Sequence, residues 1–129
     1  MRAKVRLFAG VVAVILVVED DPLCLRLMRD MVRHLTGVVA DVAESGNGAL
    51  ELISAKKYSL IITDVRMQPM SGDVMCRTLK TMPNGKDSTV VAVTAEASFV
   101  DLYDFSCFDA VYPKPVSFND VKEILGITA

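Results

Sequence analysis

Three uncharged runs, residues 11–18, 59–63 and 89–93, are rich in Val and Ile, and each leads directly into an oxygen-bearing side chain: Glu19, Asp64 or Thr94. A short continuous apolar run of this kind marks a strand buried on both faces. Between the runs, apolar residues recur at helical spacing. Strands alternating with helices imply a parallel sheet covered on both sides and joined by right-handed crossovers. The fold class is therefore α/β.

The intervening segments fill in the pattern. Asp21-Pro22 opens a helix, since Asp caps and Pro suits a first turn. Its apolar face is expected to be Leu23, Leu27, Met31 and Leu35, with Met28 and Val32 beside them, until Thr36-Gly37 stops it. Residues 38–43 are a second strand. Ser45-Gly46-Asn47-Gly48 reads as a turn before a helix that carries Leu50, Leu52 and Ile53 and ends near Lys56-Lys57. After the Gln68-Pro69-Met70-Ser71-Gly72 loop, a helix spans about 73–82 and is broken at Pro83-Asn84-Gly85. A brief helix is expected over 99–105, a fifth strand over 110–112 and a last helix over 117–125. Ser117 and Asp120 are spaced like a capping box. The expectation is one doubly wound domain of five strands and five helices over residues 11–127, with residues 1–10 as a lead-in.

The lead-in imitates a targeting signal, with Arg2, Lys4 and Arg6 before the uncharged residues 7–18. Twelve residues are too few to span a bilayer, which takes about 20. The run ends in Glu19-Asp20-Asp21 with no small-residue cleavage site, so a buried strand is the better reading. Fourteen Lys and Arg against sixteen Asp and Glu leave a net charge of −2, which speaks against direct nucleic-acid binding. With 129 residues, 52% hydrophobic and 23% charged, the chain is one ordinary globular domain. Cys24, Cys76 and Cys107 are odd in number and widely spaced, which fits neither a disulfide framework nor a zinc site and favours a reducing compartment. No membrane association is expected, and the location is cytoplasmic, or nuclear in a eukaryote.

Ligands of open α/β sheets sit outside the carboxyl ends of the strands. Those ends carry Glu19 and Asp20 after the first strand, Asp64 after the third, Thr94 after the fourth and Lys114 after the fifth. Carboxylates packed together repel one another unless a cation lies among them, and oxygen-only donors suit a hard ion such as Mg²⁺. A carboxylate beside Mg²⁺ can act as a nucleophile toward phosphorus, while the metal and a Lys neutralise the transferring oxygens. The set points to capture of phosphate on a side chain.

The motifs Val17-Val18-Glu19-Asp20-Asp21-Pro22, Thr63-Asp64-Val65-Arg66-Met67, Val93-Thr94-Ala95 and Pro113-Lys114-Pro115 resemble those of the response-regulator receiver domain. The resemblance covers nearly the whole chain and implies a flavodoxin-like sheet of strand order 2-1-3-4-5. It implies Asp64 as phosphoacceptor, Asp20 and Asp64 as direct Mg²⁺ ligands, and Glu19 assisting through a metal-bound water. The Arg66 main-chain carbonyl would complete the protein ligands, and Thr94 and Lys114 would bind the phosphoryl oxygens. The implied donor is a phosphohistidine on a histidine kinase or a histidine phosphotransfer domain. Such a module catalyses only its own phosphorylation and dephosphorylation and signals by switching conformation. A further receiver or an output domain would meet the face built from the fourth helix, fifth strand and fifth helix. The alternative is a degenerate receiver that docks independently of phosphorylation.

Several residues depart from the family pattern. Met67 is followed by Gln68 and only then Pro69, so an altered loop shape is expected. Twenty positions separate Thr94 from Lys114, fewer than is usual, so the fourth helix should be short. Val111 stands where many members have a switching aromatic, as in receivers attached to hybrid kinases. Arg66 and Glu96 are expected either to pair across the pocket mouth or to be two solvated charges. Arg66 also occupies the position where a haloacid-dehalogenase phosphatase needs an acid. Glu19-Asp20-Asp21-Pro22 would repel the phosphate that a flavodoxin cradles. His34 reads as a helix-end cation, and the methionines as core filler. The aromatics from Phe99 to Phe108 are shared between core and a contact surface. No output domain fits after Leu125, so the chain is a stand-alone receiver or a piece of a larger regulator.

Overall fold

The computed structural model describes residues 13–95 and 102–127. In chain order these form β1 (Ile15–Val18), α1 (Pro22–Thr36), β2 (Asp41–Ala43), α2 (Gly46–Ala55), β3 (Leu60–Asp64), α3 (Gly72–Leu79), β4 (Thr89–Thr94), β5 (Ala110–Pro113) and α4 (Phe118–Ile127). The strands make one parallel sheet of order β2-β1-β3-β4-β5. Fold class and strand order are those expected from the sequence.

Successive side chains of a strand point to opposite faces, and β1 feeds two cores in this way. Leu16 and Val18 join Ala49 and Ile53 of α2 and Met75, Cys76 and Leu79 of α3. Ile15 and Val17 join Met28 and Val32 of α1 and Val121, Ile124 and Leu125 of α4 on the other face. Each large side chain buried this completely contributes about 1.5–3 kcal/mol. Among the described residues, no helix is long and apolar enough to cross a membrane.

The register lines up the strand ends. Val18 pairs with Ala43 on one side and Thr63 on the other, Asp64 pairs with Val93, and Thr94 with Pro113. Glu19, Asp64 and Thr94 thereby share one edge. At the side of the sheet, β5 leaves Val111 and Pro113 exposed.

The helix ends follow local chemistry. Asp21 caps α1 by accepting from the Leu23 N–H at 2.9 Å, and Gly37 ends it at φ 76°, donating to the Arg33 carbonyl at 2.7 Å. The Ser117–Asp120 capping box is reciprocal: the Ser117 N–H reaches the Asp120 carboxylate and the Asp120 N–H the Ser117 hydroxyl, each at 3.0 Å.

Four expectations are corrected. The buried face of α1 is Leu25, Met28, Met31 and Val32, whereas Leu23 and Leu27 are 71% and 56% exposed. Both lie roughly 100° or more round the helix from Met28, beyond the stripe that the sheet covers. Ser45-Gly46-Asn47-Gly48 is not a separate turn but the start of α2, where the Ser45 hydroxyl accepts from the Gly48 N–H at 3.0 Å. Turn and N-cap use the same residue types, so the pattern serves both. α3 stops at Leu79, because residues 80–87 turn back over its end and Gly85 lies against the Leu79 carbonyl. Of the five expected helices, four occur among the described residues. Of the brief helix expected over 99–105, residues 99–101 lie outside them, and residues 102–105 contain turn and bend without helix. Residues 1–12, with the lead-in and the first part of the expected strand, also lie outside.

Candidate functional site

Strand pairing continues one residue past β1, where the Glu19 N–H donates to the Ala43 carbonyl at 3.0 Å. That fixes Glu19 over the edge of the sheet and leaves Asp20, the next residue, exposed. Asp64 closes β3 and is only 8% exposed. Carboxylate oxygens of Glu19, Asp20 and Asp64 all lie within 4.8 Å of one another.

Lys114 ties this group together. Its main-chain N–H donates to the Thr94 carbonyl at 2.8 Å, an extension of the β4–β5 pairing. Its Nζ donates to Glu19 Oε1 at 2.5 Å and to Asp64 Oδ2 at 3.2 Å. The other Asp64 oxygen, Oδ1, accepts from the Val65 N–H at 2.8 Å. Glu19 Oε2 accepts from the Asp21 N–H at 3.2 Å.

The electrostatics follow from burial. Desolvation raises the Glu19 carboxyl to about 7; the Lys114 hydrogen bond opposes the rise and the Asp64 charge adds to it. For Lys114, burial pulls the ammonium down, but the Glu19 hydrogen bond and the Asp64 and Glu19 charges outweigh it and hold the pKa above its ordinary value. One ammonium facing three carboxylates leaves the edge short of positive charge.

The structure thus brings together Glu19, Asp20, Asp64 and Lys114. Thr94 is buried at the adjoining strand end. Arg66 follows directly, exposed on the loop after β3, while Glu96 lies outside the described residues. His34 is remote, an exposed ring on the last turn of α1 whose edge meets Phe118 at 5.6 Å. All three thiols are free.

Two features escaped the sequence. A cavity of about 80 Å³ runs beneath the cluster, lined by Glu19, Asp64 and Lys114 and by the apolar Met28, Ile62 and Val116. Gly72 lies under the Asp64 backbone and donates its N–H to the Val65 carbonyl at 2.7 Å. The glycine is visible in the loop motif; its contact is not.

Comparison with known proteins agrees with this edge. The sequence model described as the response regulator receiver domain matches residues 15–125. The sensor histidine kinase RcsC of Salmonella typhi is 31% identical over 117 residues, which are 89% of this chain and 12% of that protein. The signal transduction histidine-protein kinase BarA of Shigella flexneri is 31% identical over 87 residues, 64% of this chain and 9% of that protein. The chain therefore spans about a tenth of the length of these curated relatives. Among solved structures, the receiver domain of the sensor histidine kinase PA1611 from Pseudomonas aeruginosa PAO1, with magnesium coordinated in its active site cleft, superposes with a TM-score of 0.81. It is 23% identical and covers 88% of this chain and 93% of its own. The response regulator TrrA of Thermotoga maritima, in complex with Mg²⁺ and BeF, has a TM-score of 0.77 and 27% identity, over 86% and 94% of the two chains. With the sheet order, the acidic edge and the match over residues 15–125 in agreement, this chain belongs to the response regulator receiver domain family of two-component signalling.

Proposed function

We propose that this chain accepts a phosphoryl group on Asp64 from a phosphohistidine of a histidine kinase or histidine phosphotransfer domain, and that the modified state switches a partner. The observation that carries this is the convergence of Glu19, Asp20, Asp64 and Lys114 on one sheet edge. Their donors fit a hard divalent cation, being all oxygen, clustered and deficient in counter-charge. Glu19, Asp20 and Asp64, with the Arg66 main-chain carbonyl, would hold Mg²⁺, which when bound supplies neutralising charge at the transferring oxygens.

The chain's own residues supply orientation and charge. The Val65 N–H holds Asp64 Oδ1, which fixes the carboxylate plane. An Asp64 oxygen attacks phosphorus and the P–O bond forms as the donor's P–N bond breaks. The departing imidazole nitrogen keeps the bonding pair and takes up a proton. Lys114, already at Asp64 Oδ2, can move its ammonium from Glu19 to the new phosphoryl oxygens. The Thr94 hydroxyl, at the neighbouring strand end, is the second donor to them. Water attack on the same phosphorus later restores Asp64. The protein is thus a self-modifying switch rather than a metabolic enzyme.

Intact-mass spectrometry after incubation with acetyl phosphate tests this. One added phosphoryl group that requires both Mg²⁺ and Asp64, and is lost in Asp64→Asn, is expected. No adduct from acetyl phosphate or a phosphohistidine donor, with no beryllofluoride binding, would overturn the reading in favour of a docking-only receiver.

A further inference from the structure

The peptide unit that joins Asp64 to Val65 is held at both ends. Its N–H donates to Asp64 Oδ1 at 2.8 Å, and its carbonyl oxygen accepts from the Thr63 hydroxyl at 2.8 Å. Both bonds are buried. Gly72 closes over the same carbonyl oxygen from α3 and donates its own N–H to the next carbonyl, that of Val65. A peptide unit is planar, so turning its carbonyl turns its N–H with it. The Thr63 hydroxyl thereby sets the direction from which the candidate acceptor carboxylate is bonded.

That hydroxyl stands in an apolar setting. Thr63 is fully buried, and the three residues before it in β3, Leu60, Ile61 and Ile62, are buried and apolar. Val would fill nearly the same volume with no hydroxyl to satisfy, whereas a buried hydroxyl is costly unless hydrogen-bonded. Strand side chains alternate between faces, so Thr63 shares the face of Ile61, toward α2 and α3, and not that of Asp64. A group on that face reaches the acceptor only through the peptide between them.

We propose that Thr63 is a positioning residue for phosphoryl transfer: its hydroxyl locks the 64–65 peptide so that the Val65 N–H holds Asp64 Oδ1 while Lys114 meets Oδ2. The role rests on Asp64 being the acceptor, as proposed above. A hydrogen bond received at the carbonyl also polarises the amide and strengthens its N–H as a donor. One hydroxyl thus both aims and strengthens the bond to Oδ1. Without it the peptide rocks, and the carboxylate samples orientations that miss phosphorus.

The test uses the whole chain, isotope-labelled for NMR. Thr63→Val and Thr63→Ala both remove the hydroxyl, the first keeping volume and the second avoiding any crowding by the added methyl. Both should fold by circular dichroism and move the Val65 amide proton upfield. Labelling by saturating acetyl phosphate with Mg²⁺ should slow by about tenfold in each. Mg²⁺ affinity, measured by titration, should stay as in wild type because the carboxylates remain. Thr63→Ser, which restores the hydroxyl, should restore both the rate and the Val65 signal. Wild-type labelling rates in the hydroxyl-free variants would overturn the role alone, as would a loss of rate matched by a loss of Mg²⁺ affinity, or no rescue by Ser. Failure of both hydroxyl-free variants to fold would make Thr63 structural and overturn it too. Wild type that takes no label from acetyl phosphate or a phosphohistidine donor would overturn the acceptor reading itself, and this role with it.

Discussion

A β-carbon added to Gly72 would lie 2.1 Å from the Asp64 carbonyl oxygen and 3.0 Å from the Val65 α-carbon. The first turn of α3 is thus seated directly on the backbone of the candidate acceptor. Because the obstacle is main chain, no rotamer change relieves it. Gly72→Ala should lower stability by about 1–3 kcal/mol, the range for overpacking, by displacing α3 from the strand end. Chemical denaturation gives the stability, and acetyl phosphate labelling of the remaining folded protein should fall with it.

Lys114→Met removes the ammonium while keeping length and apolar bulk. Glu19 and Asp64 then face each other without their shared donor. Phosphorylation should slow by about 10²-fold, as when a charge-stabilising donor is lost. Mg²⁺ should bind more tightly, because a competing cation is gone. Titration calorimetry and labelling kinetics separate the two effects; weaker Mg²⁺ binding would contradict this account.

Three acids follow β1 in sequence, but only two join the cluster. The Asp21 carboxylate turns to the Leu23 N–H and the Cys24 thiol, and these bonds hold its pKa below the ordinary value. Asp21→Ala should lower the melting temperature through the loss of the α1 cap, while the Mg²⁺ dependence of labelling stays unchanged. Thermal melts followed by circular dichroism check the first part.

The Asp73 carboxyl gives a pH test. Burial pushes its pKa up, but bonds from the Ser71 hydroxyl and the Asp104 and Val74 N–H groups, with the Arg77 charge, hold it below 3.8. A depressed carboxyl stabilises the fold above its unfolded value and loses that contribution as pH falls through the folded value. Wild type should exceed Asp73→Asn by about 2 kcal/mol near neutrality, the scale of a buried bond to a charged group. The gap should close on acidification below pH 3.8. Urea titrations across that range measure it.

The sheet was legible because strands buried on both faces leave continuous apolar runs, and the candidate site was legible because Glu19, Asp64 and Thr94 each end such a run; Lys114 follows the half-exposed β5. Leu23 and Leu27 misled because an apolar residue at helical spacing does not say how wide an arc the sheet covers. Ser45 misled because a hydroxyl beside glycines serves a turn and a helix cap alike. The Asp73–Asp104 pair was invisible, since nothing local links residues so far apart. Gly72 was seen, but what it touches is set by two elements at once.

The Glu19–Lys114 bond joins residues 95 positions apart, and this has a temporal consequence. A chain emerging from the ribosome displays the acids and Asp64 long before the lysine arrives. Until β5 has docked at the far side of β4, the candidate acceptor lacks its counter-charge. The paired, charge-balanced edge is therefore a property of the finished fold alone, and a half-made copy cannot assemble it.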